Sequence, residues 1–480
     1  MPIPDQPHPL SSSPASPGFA AAALPRQLGF WSLWLLVING LIGAGIFGLP
    51  AGAARLAGDF SLWLYPLCAL LILPVLLCFA ELSSRFAGSG GPAVYVSAAF
   101  GPAAGFQAGW LYYLARLVSV AANTVLLVDS VSYFLPALQT GPLRLLLLVV
   151  VLGAMTLLNV WGVRQTMRWL GALTVAKLAV LAGFALAGCS VLLWPSLLML
   201  PVTNTVIPTL NTTLNSAVQW QPLLSYPDIV DGPAALLLLV YAFVGFESAL
   251  IPAGEAKNPQ RDLPRALISA LLLVTLLYMA VQAACLVLLP DLAHSKTPLL
   301  DATAQLATHL TPHISTEAAA ALVSIATSLL MLGIIASVAA NLLGAMFSTP
   351  RLSHALAEQG QLPAWFAAVH PRFLTPAHAI WFFGLLALLL ASLGSFLYLA
   401  AATVLIRALL YGLCCAALPV LRRQQQSPLQ LPLATILPWL ACIVCLWLAS
   451  QVSSTSVWLT AALIALGLVL SLLAKGASKR

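Results

Sequence analysis

Charged residues are scarce in this chain of 480 residues. Only 7% of the residues are Asp, Glu, Lys or Arg, whereas 61% are apolar, and a soluble domain carries about 25% charged residues. This shortage excludes a disordered chain, an ordinary soluble enzyme and a nucleic-acid binder built on a basic surface. The mean hydropathy of +0.99 indicates that lipid surrounds most of the chain.

Motifs that hold metals or nucleotides are also missing. The eight Cys fall within apolar runs, which is typical of small buried side chains rather than of disulfides. Cys442 and Cys445 form one CxxC, but no second pair or His cluster accompanies it, so zinc binding is disfavoured. There is no HExxH and no GxxxxGK(S/T) loop. The sequence therefore predicts neither a cofactor nor a metal site.

Apolar stretches dominate what remains. A helix needs about 20 apolar residues to cross the hydrocarbon of a bilayer, and polar or Pro- and Gly-rich breaks divide the chain into stretches of about that length. The predicted spans are 29–57, 61–86, 103–135, 142–162, 167–193, 233–254, 265–290, 317–348, 377–394, 396–420, 431–450 and 455–474. The sequence therefore predicts an all-α polytopic membrane protein with about 12 transmembrane helices, embedded in a lipid bilayer and without a nucleic-acid partner.

Lys and Arg are distributed unequally between the two sides of these spans. With the N-terminus inside, most basic residues lie on the cytoplasmic side, and only Arg55, Arg144 and Lys296 lie in outer segments. Because cytoplasmic loops are enriched in Lys and Arg, we expect both termini in the cytoplasm and the protein in a cell membrane, either a bacterial inner membrane or a plasma membrane. Residues 1–25, rich in Pro and Ser, are expected to form a disordered cytoplasmic tail.

Two spans contain a short repeat. Residues 43–52 read GAGIFGLPAG and residues 245–254 read GFESALIPAG, so both begin with Gly and reach Pro-Ala-Gly at the same offset. Gly-rich interruptions at matching positions of two halves indicate a transporter binding site. The alternative is that these glycines only permit close packing between helices.

An interrupted helix can bind charge with its backbone alone. Within hydrocarbon every backbone N–H and C=O must be paired, and a break at Gly43 and Gly45 leaves N–H groups on the outer half and C=O groups on the inner half. These groups can bind a carboxylate and an ammonium, respectively. Two such helices side by side would bind a zwitterion without any charged side chain.

Longer motifs resemble a known family. Residues 39–47 (NGLIGAGIF), 243–247 (FVGFE) and 255–265 (EAKNPQRDLPR) resemble the first helix, the sixth helix and the following loop of the amino acid–polyamine–organocation (APC) transporters. The resemblance extends over roughly residues 30–420 and implies a LeuT-type fold, in which two five-helix inverted repeats are followed by two extra helices. The implied segments are a first repeat at 26–194, an outer loop at 195–232, a second repeat at 233–421, and two helices with a basic cytoplasmic tail at 422–480.

The resemblance also implies a substrate site at the two breaks. Its positions in this chain are Leu41, Ile42, Gly43, Ala44, Gly45, Tyr241, Phe243, Val244 and Gly245. The backbone of residues 43–45 would bind the carboxylate of an amino acid substrate. The carbonyl groups of Leu41, Tyr241 and Val244 would bind its amino group, and the ring of Tyr241 or Phe243 would act as a gate. Packing against lipid or core is the alternative for both rings.

Lys177 lies near the middle of the fifth predicted span, where a side chain cannot easily reach water. Its ammonium can replace a bound sodium ion by donating to carbonyl groups near the first break, and a buried lysine can also shuttle a proton. Sodium-independent members of the resembled family carry a lysine at this place, so we expect a coupling role and no sodium dependence. A fixed structural ion pair is the alternative.

Other ionisable residues also fall within predicted spans. Glu247 resembles the glutamate of the arginine–agmatine and polyamine antiporters, which implies a proton-sensitive or cation-facing coupling group; a structural partner of a buried base is the alternative. Arg116 would disfavour a cationic substrate if it faces the pocket, or would neutralise Glu247. Arg407 either snorkels or pairs, and Glu81 is expected to be solvated at a span end.

These features favour a secondary transporter of amino acids that works by alternating access, without sodium, as a proton symporter or an exchanger. An antiporter of cationic amino acids or polyamines stays open. An enzyme is not expected, because the His residues are scattered, and a channel is disfavoured by the lack of a filter sequence or a ring of charge. The sequence leaves open which amino acid is carried, symport or exchange, and the oligomeric state.

Overall fold

The computed structural model describes residues 28–43, 45–86, 91–161, 166–193, 230–309, 316–373, 375–424 and 435–477. These residues form helices joined by short loops, and no β-strand occurs among them. The α-helices are α1 (Phe30–Leu41), α2 (Gly45–Ala57), α3 (Ser61–Arg85), α4 (Pro92–Phe100), α5 (Pro102–Val131), α6 (Pro142–Val160), α7 (Thr166–Leu193), α8 (Gly232–Phe243), α9 (Pro259–Leu288), α10 (Pro298–His309), α11 (Thr316–Glu358), α12 (Ala377–Leu393), α13 (Phe396–Gln424), α14 (Leu437–Ser450) and α15 (Ser454–Ala477).

The length and apolarity of these helices fit a membrane. Nine helical stretches of the described chain are long and apolar enough to cross a bilayer, and three shorter apolar helices, α1, α12 and α14, accompany them. The prediction of an all-α polytopic membrane protein is confirmed, whereas the count of twelve spans and the five-plus-five repeat stay predictions. Residues 1–25 and most of the predicted loop 195–232 lie outside the described residues.

Two helices are interrupted at the repeated motifs. The first interruption separates α1, which ends at Leu41, from α2, which begins at Gly45. The second separates α8, which ends at Phe243, from a 3₁₀ helix at Phe246–Glu255. The backbone leaves helical geometry where the glycine-rich sequences begin, so both motifs coincide with breaks.

The two interrupted helices run side by side in opposite directions. The Lys257 N–H donates to the Leu28 carbonyl at 2.9 Å, next to the start of α1 and the end of the 3₁₀ helix. At the other end of the pair, the N–H groups of Val230 and Asp231 donate to the Leu56 carbonyl at 3.0 and 3.2 Å, where α2 ends and α8 begins. Each element therefore starts where the other ends, and the two interruptions lie at the same level.

The interruptions touch through two glycines. A Cβ atom on Gly40 would overlap the carbonyl oxygen of Gly245, and a Cβ atom on Gly245 would overlap that of Gly40. Gly245 also has a φ of +114°, a conformation that residues with a side chain rarely adopt. The close approach of the two breaks therefore depends on the absence of a side chain at both positions.

Gly245→Ala is expected to lower the free energy of unfolding by about 1–3 kcal/mol, because the methyl group strains the backbone and meets Gly40. Thermal unfolding of the detergent-solubilised protein measures the change. Gly153→Ala on α6 is the matched control, since a Cβ atom there meets open space and alanine favours the helix. Equal midpoints for the two variants would contradict the contact.

The ends of α3 and α13 meet at Glu81. Its Oε1 accepts from Arg85 Nη2 and from Arg422 Nε, both at 2.8 Å, and its side chain is buried. The prediction that Glu81 is solvated at a span end is wrong, because two guanidinium groups take the place of water. One of them comes from α13, a helix far away in the sequence.

Candidate functional site

A small cavity lies between the two interruptions. Backbone from both breaks and polar side chains from α5, α11 and α13 form its wall. The lining residues are Gly40, Leu41, Gly43, Gly45, Arg116, Ser119, Asn123, Tyr241, Val244, Asn341 and Arg407. Its volume of about 10 Å³ is room for one water molecule. An amino acid fits there only after the surrounding helices move apart.

Five of the nine predicted substrate-binding positions line this cavity. They are Leu41, Gly43, Gly45, Tyr241 and Val244. Ile42 and Gly245 lie within the interruptions themselves, and Phe243 lies behind the cavity wall. Ala44 lies outside the described residues.

The backbone groups at the first interruption are partly occupied. The Gly43 N–H donates to the Leu41 carbonyl at 3.0 Å, and the same carbonyl accepts from the Tyr278 hydroxyl at 3.0 Å. The Val244 carbonyl accepts no hydrogen bond from the part of the chain that the structure describes. In this conformation the Val244 carbonyl is available to an amino group, whereas the Gly43 N–H must leave Leu41 before it can bind a carboxylate.

Lys177 directs its ammonium to the end of α1. Its side chain is fully buried, and Nζ donates to the Ile42 carbonyl at 2.6 Å, to Asn39 Oδ1 at 2.7 Å and to the Asn39 carbonyl at 3.3 Å. The last turn of a helix carries unpaired carbonyl groups and partial negative charge, so a cation is stabilised there. No described carboxylate pairs with Lys177, so these contacts do not support the ion-pair alternative.

A row of side-chain amides connects the cavity to this ammonium. The Tyr241 hydroxyl donates to Asn123 Oδ1 at 2.9 Å, and Asn123 Nδ2 donates to Asn341 Oδ1 at 3.0 Å. Asn341 Nδ2 donates in turn to the Asn39 carbonyl at 3.4 Å, which is also a Lys177 acceptor. Four helices that are distant in sequence, α1, α5, α8 and α11, are thereby joined at the first break.

Sequence reasoning missed these three asparagines as members of the site. Asn39, Asn123 and Asn341 are all buried, and a buried amide is costly unless it is hydrogen-bonded. Their occurrence inside apolar spans was the available signal. Their mutual contacts were not readable, because the three residues come from α1, α5 and α11.

A wide vestibule of about 710 Å³ lies beyond the cavity. Its wall includes Gly48, Leu126 and Phe396. Gly48 lies about one helical turn after the cavity residue Gly45 on α2, and Leu126 about one turn after Asn123 on α5. The vestibule therefore follows directly on the cavity.

Tyr241 lies between the two spaces. Its ring meets the Phe396 ring edge to face, with 5.8 Å between centroids, so one ring lines the cavity and the other lines the vestibule. Phe243 instead packs against Tyr65 and Tyr278 at 6.5 and 5.6 Å. Of the two predicted gate residues, Tyr241 lines the cavity and Phe243 does not.

Glu247 is held at the second interruption by three donors. Arg407 Nε donates to Oε1 at 3.0 Å, while the Tyr411 hydroxyl and the Gly245 N–H donate to Oε2 at 2.6 and 3.0 Å. Glu247 is 0% and Arg407 2% exposed. The partner of Glu247 is thus Arg407 rather than Arg116, and both carboxylate oxygens are engaged. These contacts support the structural alternative for Glu247 over a cation-facing role.

Comparisons with known proteins agree with this architecture. Residues 28–474 match the amino acid permease family. The chain is similar to three proteins of Bacillus subtilis (strain 168). It is 27% identical to the branched-chain amino acid permease BcaP over 89% of this chain and 88% of that protein. It is 25% identical to a methylthioribose transporter, over 88% of each chain, and 26% identical to the serine/threonine exchanger SteT, over 87% of this chain and 89% of that protein. Because the match extends over nearly the whole chain, the resemblance to the APC transporters is confirmed, and the protein belongs to the amino acid permease family.

Proposed function

We propose that this permease is a sodium-independent secondary transporter that carries amino acids across a cell membrane by alternating access. The observation that carries the proposal is the ammonium of Lys177 at the first break. It donates to two carbonyl groups and one side-chain amide oxygen at the end of α1. A bound sodium ion would be coordinated by this same set of oxygen atoms. The ammonium of Lys177 therefore provides the positive charge in place of sodium.

A proton or a counter-substrate then provides the driving force. Burial makes the ammonium expensive unless its oxygen partners stay in place, so opening the first break favours loss of the proton. The row of amides between Tyr241 and Asn39 links the gate to the Lys177 acceptors. Movement of Tyr241 therefore changes the hydrogen-bond acceptors around Lys177. Such a link between the substrate cavity and the protonation of Lys177 is what coupled transport requires. Exchange is the mode named for one relative, the serine/threonine exchanger.

The substrate backbone binds between the two breaks. When α1 and α2 separate, the Gly43 N–H turns from Leu41 to the substrate carboxylate, beside the amide nitrogens of Asn123 and Asn341. A Cβ atom on Gly43 would lie 3.8 and 3.6 Å from those nitrogens. The substrate amino group binds the Val244 carbonyl. This arrangement uses dipoles for both ends of the zwitterion.

The end of the bundle with Arg85 and Arg422 faces the cytoplasm in this proposal, and the vestibule faces outward. Further basic residues of the described chain lie at the end with Arg85 and Arg422. They are Lys257, just before α9, and Arg261 and Arg265 in the first turns of α9. Cytoplasmic loops are enriched in Lys and Arg. The N-terminus before α1 is then cytoplasmic.

Uptake by the purified full-length protein in proteoliposomes tests the proposal. Initial rates for a panel of labelled amino acids should be equal in sodium chloride and in choline chloride. An inward proton gradient should raise the rate in a symporter, and a preloaded unlabelled amino acid should raise it in an exchanger. Strict sodium dependence would overturn the role of Lys177, and a lack of uptake of every amino acid would overturn the transport function.

A further inference from the structure

Arg116 is a buried cation that faces the substrate cavity. It lines the wall together with Ser119 and Asn123, which lie three and seven residues further along the same face of α5. Arg116 is 4% exposed. Its Nε has no hydrogen-bond partner, and no ion pair or hydrogen bond joins it to the described part of the chain. The charge of Glu247 acts on Arg116 from a distance, but no hydrogen bond holds the guanidinium, as a buried charge requires.

Glu247 is not hydrogen-bonded to Arg116, because other donors engage both of its carboxylate oxygens. Its Oε1 is engaged by Arg407, and its Oε2 by Tyr411 and by the Gly245 N–H. Two guanidinium groups, Arg116 and Arg407, therefore lie near one carboxylate. These three groups, two guanidiniums and one carboxylate, therefore leave one positive charge in excess at the cavity.

The vestibule is balanced in charge among the described residues. Arg55, Arg144 and Lys296 line it together with Asp129, which Arg144 contacts. Asp291 and Asp301 contact the lining residues His294 and Ser295, so three acids accompany the three bases. The positive charge without a hydrogen-bonded partner on the way to the substrate is therefore that of Arg116, inside the cavity.

We propose that the substrate carries a net negative charge, as an amino acid with an acidic side chain does, and that Arg116 binds the side-chain carboxylate. This inference rests on the proposed transport function and names the substrate class of the same site. A planar guanidinium matches a carboxylate through two parallel hydrogen bonds. The α-carboxylate would lie beside Asn123, which is seven residues, or about 10 Å along α5, from Arg116. The substrate side chain and the Arg116 side chain together span this distance.

Competition in proteoliposomes separates charge from shape. Uptake of a labelled amino acid by the wild type is challenged with unlabelled L-aspartate and L-glutamate and with their isosteric amides, L-asparagine and L-glutamine. The acids should compete at least about tenfold better than the amides, since a charge-assisted contact to a carboxylate is lost with the amides. Equal or better competition by the amides, or by leucine, would overturn the inference and leave the proposed transport function intact.

The variant Arg116→Gln tests whether Arg116 binds the side-chain carboxylate of the substrate. The variant should lose glutamate uptake by about tenfold or more and keep or gain glutamine uptake, and Arg116→Lys should lie between it and the wild type. An equal loss for glutamate and glutamine would assign Arg116 to structure or to the α-carboxylate and overturn the inference. If the variant does not fold, the wild-type competition decides. Uptake of no amino acid of any charge would overturn the proposed function together with this inference.

Discussion

Lys177→Ala is expected to reduce uptake to near the background of empty liposomes. The substitution leaves Asn39 Oδ1 and the Ile42 carbonyl without their donor at 2.7 and 2.6 Å. Each buried polar atom without a partner costs about 1–3 kcal/mol, so the end of α1 loses about 2–6 kcal/mol of support. Because α1 forms one side of the first interruption, the conformation described here is destabilised relative to the other conformations of the transport cycle. Initial rates and thermal unfolding midpoints, measured on the same preparation, give the result.

The matched control for this variant is Lys257→Ala. Lys257 is exposed, and its contact to Leu28 uses the backbone N–H, which alanine keeps. We expect unchanged uptake and an unchanged midpoint. Sodium ions can occupy the oxygen atoms that Lys177 leaves, so partial recovery of Lys177→Ala in sodium chloride would support the cation role. Full proton-coupled uptake by Lys177→Ala in choline chloride would refute it.

Arg407→Met is expected to lower the free energy of unfolding by about 3–5 kcal/mol, because it leaves the Glu247 carboxylate buried without its ion-pair partner. Glu247 is fully buried, so water cannot take over. The double variant Glu247→Gln with Arg407→Met should recover part of this loss, since the unpaired charge is then gone. The measurement is the thermal unfolding midpoint of the solubilised protein, arranged as a double-mutant cycle.

The pair Arg144 and Asp129 is the control for burial. Their side chains are 24% and 34% exposed, so Arg144→Met should cost no more than about 1 kcal/mol. A similar small effect for Arg407→Met would mean that Glu247 is not held by its ion pair. A double variant as unstable as Arg407→Met alone would mean that lost packing, rather than the unpaired charge, causes the effect.

Several features of the site were readable in the linear sequence. A lysine in the middle of an apolar run stands out, because a bilayer offers it no water, and the nearest unpaired oxygens are those at a helix break. The breaks themselves were visible as glycines, since only glycine adopts the φ of Gly245 without strain. These conclusions depend on residues that are neighbours in the chain or on the solvent around it.

Other features were not readable, and each involves a partner distant in the chain. The sequence offered Arg116 as the residue that could neutralise Glu247 and gave no partner for Arg407, whereas the packing of α13 against the second break pairs Arg407 with Glu247. Glu81 lies near the end of its span as predicted, yet Arg422 of α13 covers it. Phe243 and Tyr241 were equivalent gate candidates in the sequence, and only the packing shows that Tyr241 meets Phe396 of α13 while Phe243 meets Tyr278.

The sequence by itself determined that this is a helical membrane protein of the permease type, with two glycine-based breaks and a buried lysine. Hydropathy and glycine conformation are local properties, so no contact is needed to infer them. Only the tertiary structure decided which oxygen atoms surround Lys177, which arginine neutralises Glu247 and which arginine faces the cavity unpaired. The physical reason is that a buried charge is stabilised by groups within a few ångströms, and packing of helices brings those groups together from distant parts of the chain.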